Sequence, residues 1–223
     1  MFKTETHMHV AEVSTCSKLG AEEMVKLYAE AGYKTLFITD HLQASTFRKR
    51  GIEGWKNQID KFFSGYEVAK AAGDKLSLNI IFAAELCLNH SPHTHLLLYG
   101  IDKEFLMDCE GLLDMSFAEI SAYAKSHGVT VVQAHPYRDG KSEPISTEYI
   151  DAVEAYNTNP RHENFDEQAL AFAKSAELPI TGGSDAHRYE DIALGGVITE
   201  CEIKTADDYA RLLKAGKVEA IHQ

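Results

Sequence analysis

No apolar run in this 223-residue chain approaches the ~20 residues that a membrane-spanning helix needs. The longest, Asn79–Leu88, is broken by Glu85. The opening stretch Met1–Val10 lacks the apolar core of a secretory signal. Excess positive charge is also missing. The 22 Lys and Arg face 34 Asp and Glu, for a formal net charge of -12. That balance argues against a basic footprint for duplex nucleic acid, so no nucleic-acid duplex and no membrane are expected as partners. The four cysteines, Cys16, Cys87, Cys109 and Cys201, are far apart and form no Cys-x-x-Cys pair. This excludes a zinc ribbon or a disulfide framework and suits a reducing cytoplasm. There is no repeat, no low-complexity tract and no Pro/Gly linker, so one domain over residues 1–223 is expected.

Strand and helix periods alternate along the chain. Strands are expected at Phe2–His9, Lys34–Thr39, Leu78–Glu85, Leu96–Tyr99, Val129–Ala134, Ala152–Tyr156, Leu178–Thr181, Gly196–Thr199 and Val218–Ile221. Helices are expected at Ala21–Ala31, at Trp55–Ala72 with Gly73 as its stop, from Ser116 to His127, at Asn164–Ala176 and from Thr205 to Ala215. Ser116 and Glu119 have the spacing of a capping box. The link between Glu85 and Leu96 is too short for a helical crossover, so these two strands should pair antiparallel. Glu85 and His95 then meet at one edge. The pattern predicts an α/β fold, either a barrel or a doubly wound sheet. A barrel gathers all its strand ends around one mouth, and it is the expected form here.

Six of the eleven histidines fall at strand ends: His7, His9, His41, His95, His135 and His187. Side chains alternate along a strand, so His7 and His9 share a face and form a ready chelate. Glu12, Asp40, Glu85 and Asp185 accompany them. Burying so much polarity without a cation costs several kcal/mol per charge. Imidazole mixed with carboxylate suits zinc, manganese or iron.

The motifs His7-x-His9, Thr39-Asp40-His41, Glu85, His95-Leu-Leu-Leu-Tyr99, Ala134-His135-Pro136, Glu154-Ala-Tyr-Asn157 and Gly183-Ser-Asp185-Ala-His187 come in an order that resembles the polymerase and histidinol phosphatase (PHP) family. The resemblance spans His7 to His187. It implies a distorted (β/α)7 TIM-like barrel, two to three divalent cations at its mouth, and phosphoester hydrolysis. It also implies a ligand set. His7, His9, Glu85 and Asp185 would hold one cation. Glu85 would bridge to a second with His95 and His135. Glu12, His41 and His187 would hold a third. In many members the third-site ligand stands at the position occupied here by Ser14, so Glu12 has to reach from two residues earlier. Cys16 is the alternative ligand.

Paired cations polarise phosphoryl oxygens and acidify a water. Asp40 is expected to orient His41, and Asp185 or His187 to carry a proton. Guanidinium forks match phosphate, which points to Arg138, Arg161 and Arg48 as substrate-binding residues. The expected activity is hydrolysis of a phosphomonoester on a small metabolite or nucleotide. Three alternatives remain: a nucleotide phosphodiesterase, a metal-dependent amidohydrolase and a non-catalytic metal-binding module. The amidohydrolase reading lacks the strand-end lysine that such barrels usually carry.

Overall fold

The computed structural model describes residues 1–222. Ten strands, β1 to β10, and seven α-helices, α1 to α7, follow one another in chain order. The strands are β1 (Phe2–Glu5), β2 (Thr35–Ile38), β3 (His41–Leu42), β4 (Asn79–Cys87), β5 (His95–Tyr99), β6 (Thr130–Ala134), β7 (Ala152–Asn157), β8 (Ile180–Gly183), β9 (Val197–Thr199) and β10 (Glu219–Ala220). The helices are α1 (Ala21–Glu30), α2 (Ala44–Lys49), α3 (Trp55–Leu76), α4 (Lys103–Met107), α5 (Phe117–Ser126), α6 (Asp166–Ser175) and α7 (Ala206–Lys214).

The strands pair in the order β10-β9-β1-β2-β4-β5-β6-β7-β8, with β3 alongside β4. A parallel bridge between Met8 and Ala186, just beyond β1 and β8, links the two ends of the run from β1 to β8. The result is a nearly closed seven-stranded barrel, with β9 and β10 as an antiparallel flap on β1. The distortion expected of the barrel lies in β5, which is antiparallel to both β4 and β6. This reversal puts the first residue of β5, His95, level with the last turns of its neighbours. His95 pairs in register with Cys87 on one side and Ala134 on the other.

The lower end of the barrel is apolar. Phe37, Leu97, Tyr99 and Val132 point inward and meet Tyr209, Leu212 and Leu213 of α7. Thr35, at the start of β2, donates its hydroxyl to Ile203 O just ahead of that helix. Helix α7 therefore closes the end opposite the strand C-termini, and the mouth is left at the other. Outside the sheet, α1 and α3 cover β1 and β2 through Met24, Tyr28 and Ala69. Helices α3, α4 and α5 cover β4 to β6 through Phe62, Leu106 and Ile120. Thr205 and Ser116 cap their helices by accepting the amides of Asp208 and Glu119.

Two boundaries differ from the sequence reading for physical reasons. β1 ends at Glu5 rather than His9, because the Glu5 carboxylate takes the amides of Thr6 and His7 out of the ladder, at 2.9 Å each. α3 runs through Gly73 to Leu76. A Cβ at Gly73 would lie 2.4 Å from Ile80 Cγ1, so this glycine permits close packing on β4 instead of ending the helix. The helix ends at Ser77, in the left-handed region with φ 55°.

Candidate metal centre

The strand ends converge on Glu85. Its Oε1 lies 2.8 Å from His95 Nδ1, 3.0 Å from His135 Nε2 and 3.4 Å from His7 Nε2. Its Oε2 lies 2.5 Å from His41 Nδ1 and 3.5 Å from His9 Nε2. Asp185 faces the same space, with Oδ1 3.0 Å from His9 Nε2 and 3.5 Å from His7 Nε2. Five of these atoms, His7 Nε2, His9 Nε2, His41 Nδ1, Glu85 Oε2 and Asp185 Oδ1, are buried and make no hydrogen bond. Orphaned buried polar atoms are rare unless a ligand meets them. Four overlapping groups have donor atoms all within 4.8 Å of one another: His7/His9/Asp185, His7/Glu85/His135, His41/Glu85/His95 and His9/His41/His187. This donor set fits divalent cations of the zinc, manganese and iron class.

Four of the donors, His7, His135, Asp185 and His187, are held by groups behind them. His7 Nδ1 donates to Glu154 Oε1 at 2.8 Å, which leaves Nε2 toward the cluster. The other oxygen of Glu154 accepts the amide of His135 and the side chain of Asn157. His187 Nδ1 donates to the carbonyl of Asp185 at 2.7 Å, which leaves its Nε2 free. Arg138 donates from Nη1 to Asp185 Oδ2 at 2.7 Å and from Nε to Asn164. Asn159 donates to the carbonyl of Asp185. His135 and Asp185 both carry left-handed backbone, with φ of 29° and 49°. Such positions cost on the order of 1–3 kcal/mol each and tend to persist where the surroundings over-determine them.

The electrostatics alternate around the ring. Burial would raise Glu85, but the neighbouring His95 and His41 hold its carboxyl well below the usual range. Burial would likewise raise Asp185, and Arg138 followed by His7 draws it well below. Burial opposes the charged form of His7, yet Glu154 and Asp185 carry its pKa well above the ordinary value. His9 goes the other way, lowered by burial and by His41 and His187. Burial and Arg138 bring His135 down to about 4. His95 rises to about 9, because Glu85 outweighs its burial.

The structure brings together His7, His9, His41, Glu85, His95, His135, Asp185 and His187, and it places four other expected residues elsewhere. Glu12 does not reach the cluster. Its Oε2 accepts the amide of Ala21, the first residue of α1, at 2.9 Å, where a carboxylate also suits the helix dipole. Asp40 stands behind the ring and touches no reacting space. Its Oδ1 accepts the amide of Val10 and the hydroxyl of Ser14, and Oδ2 sits against Gly65 of α3. Burial lifts Asp40 to about 7. Arg161 is occupied by a two-pronged ion pair with Asp191, with Nη2 to Oδ2 at 2.7 Å. Asp191 in turn accepts the amides of His187 and Arg188, so Arg161 braces that loop instead of facing the mouth. Arg48 is exposed in the last turn of α2, a helix not among those expected from the sequence.

Three residues have supporting roles that the sequence did not assign to them. Glu5 is fully buried and accepts the amides of Thr6, His7 and Ser184 and the Tyr28 hydroxyl, so it ties β1 to the loop after β8. Ser14 accepts the amide of His41 and donates to Asp40. Glu154 appeared in a motif, but nothing in the spacing gave it a role. Glu154→Gln keeps the volume and removes the charge behind His7. It should lower cation affinity by about 10–100-fold, measured by competition with a chromophoric chelator. Unchanged affinity would show that His7 is not aimed by Glu154.

The comparisons agree with this geometry. A PHP domain model matches residues 5–187, and a PHP-associated model matches residues 163–218. Comparison with curated protein sequences finds no match. Among solved structures, PsfC from Pseudomonas syringae PB-5123 is similar at 17% identity and a TM-score of 0.72, over 100% of this chain and 91% of that one. A two-domain protein of Bacteroides vulgatus, which contains a predicted PHP-like metal-dependent phosphoesterase, is similar at 16% identity and a TM-score of 0.68; the match covers 100% of this chain and 65% of that one. The lesion-specific endonuclease EndoQ of Pyrococcus furiosus is similar at 14% identity and a TM-score of 0.66, over 98% of this chain and 57% of that one. At these identities the likeness is one of fold. With the family model spanning most of the sequence and the donor ring in place, the chain belongs to the PHP domain family of metal-dependent phosphoesterases.

Proposed function

We propose that the chain hydrolyses a phosphomonoester on a small metabolite or nucleotide, with two to three divalent cations held by the ring. One set would be His7, His9, Glu85 and Asp185. A second would share Glu85 with His95 and His135. Bound there, such cations supply Lewis acidity toward a phosphoryl oxygen and make a water more acidic.

The observation that carries the substrate class is Arg138. Nη1 is spent on Asp185 and Nε on Asn164, while Nη2 is buried without a partner. A fixed guanidinium with one free donor at the rim of an anion-polarising site suits a phosphate oxygen. In the reaction, a water oxygen forms a bond to phosphorus, the ester P–O bond breaks, and the leaving oxygen takes a proton. Asp185 is held ionised by Arg138, which leaves it without that proton near neutrality. His41, His95 and His187 are 12%, 18% and 11% exposed, so solvent reaches the mouth and can supply it.

The endonuclease among the structural neighbours raises nucleic acid as a second substrate class. The formal net charge of -12 disfavours a long polyanion here. A panel of aryl and alkyl phosphate monoesters, diesters and an abasic-site duplex, each with manganese or zinc, separates the readings. We expect turnover of monoesters, with KM raised in Arg138→Lys. Turnover of diesters or duplex alone would reassign the substrate. No turnover with cations verified as bound would defeat the proposal.

A further inference from the structure

We propose that Asn164 is a positioning residue for phosphate binding: it holds the Arg138 guanidinium with one donor left free, and Asp139 latches the loop that carries it. The proposal rests on the phosphomonoester reading and names what sets the affinity of that site for phosphate.

Arg138 and Asn164 come from different loops. Arg138 lies in the turn that follows β6, and Asn164 lies in the link between β7 and α6. Asn164 is 7% exposed, and both ends of its amide are used. Oδ1 accepts Arg138 Nε at 2.9 Å, and Nδ2 donates to the carbonyl of Asn157 at 2.7 Å. The Asn157 carbonyl demands a donor, so the amide cannot turn over and its oxygen stays on Arg138.

A guanidinium is planar, and contacts at two of its nitrogens fix the direction of the third. Nε is held by Asn164, and Nη1 is held by Asp185 Oδ2 at 2.7 Å. The remaining nitrogen, Nη2, is buried and has no partner. Without Asn164 the group would pivot on the Asp185 contact alone, and Nη2 would lose its fixed direction.

The two loops are latched beside this contact. The Asp139 amide donates to Glu163 O at 2.7 Å, and the Glu163 amide donates back to Asp139 Oδ1 at 3.1 Å. His162 Nδ1 donates to Asp139 Oδ2 at 2.9 Å. These bonds set the residue after Arg138 against the two residues before Asn164. Asp139 and Phe165, on either side of the latch, both carry left-handed backbone, with φ of 55° and 51°. Such positions persist where the surroundings over-determine them. The Asp139 and His162 side chains are 33% and 37% exposed, so their ion pair adds little to stability. What the latch does is keep Arg138 and Asn164 in line, and none of its bonds involves a cation donor.

The test is steady-state hydrolysis of an aryl phosphate, with competitive inhibition by inorganic phosphate, on the metal-loaded protein. Asn164→Ala should raise KM and the phosphate inhibition constant by about tenfold, the scale of one hydrogen bond to a charged group, with kcat within about threefold of wild type. Cation content by elemental analysis should be unchanged. Asp139→Gly keeps the left-handed turn, which glycine adopts freely, and removes both side-chain bonds of the latch. It should raise both constants about threefold. A lysine at position 138 has no second nitrogen for Asn164 to hold, so in Arg138→Lys neither substitution should add to the effect. Unchanged constants in Asn164→Ala, a loss confined to kcat or to bound cation, or effects that add in full to those of Arg138→Lys would each overturn the proposal and leave the phosphomonoester reading standing. Should Asn164→Ala fail to fold by circular dichroism, Asp139→Gly decides alone, and unchanged constants there overturn it. A wild type with cations bound that neither hydrolyses the monoester nor is inhibited by phosphate would overturn both.

Discussion

Glu85→Gln should reduce hydrolysis by on the order of 10³-fold, with the fold intact by circular dichroism. The two oxygens of Glu85 face five imidazoles, those of His7, His9, His41, His95 and His135. Every other donor in the ring meets fewer partners. Glutamine keeps the volume at a fully buried position but offers one acceptor and no charge. Both proposed cation sets then lose their shared ligand at once, and the imidazoles lose the charge that balances them. The loss should fall on kcat and on bound metal together, measured by steady-state kinetics and elemental analysis of the same preparation. Activity within about tenfold of the parent would show that Glu85 is not the hub of the site.

Removing cations with a chelator should lower the melting temperature by about 10 °C. A ligand at a thousandfold excess over its Kd stabilises the folded state by about 4 kcal/mol, and a domain of this size shifts about 2–4 °C per kcal/mol. The physical source is the ring itself. Glu85, Asp185, His7, His9 and His135 are all buried, and their mutual spacing leaves several polar atoms unpaired. Buried groups in that condition are costly, and a cation relieves the cost only in the folded state. Calorimetry before and after metal restoration measures the shift. A melting temperature indifferent to zinc, manganese and iron would mean that the ring is satisfied without them.

The sequence made the architecture legible where the reasons were local. The short link from Glu85 to His95 required an antiparallel pair, and β4 and β5 form one. The alternation of strand and helix periods with polar residues at strand ends required a barrel mouth, and the sheet nearly closes into one. The failures were of the opposite kind. Glu5 had no assigned role in the sequence, yet it is buried, because the Ser184 amide and the Tyr28 hydroxyl from distant segments join the adjacent amides of Thr6 and His7 on its carboxylate. Arg161 looked like a free phosphate ligand until Asp191, thirty residues later, was seen to occupy it. Glu12 looked like a third-site ligand because it is near His9 in the chain, and the start of α1 claims it instead.

The order of residue types alone established which side chains lie at strand ends, and with it the family and the class of chemistry, because donor identity and strand periodicity are local properties. Which oxygen faces which imidazole, whether Arg138 keeps a free donor, and whether Glu12 reaches the ring were decided only when the chain closed on itself. Each of those outcomes depends on competition among groups remote in sequence for the same few hydrogen bonds, and no spacing rule records who wins it.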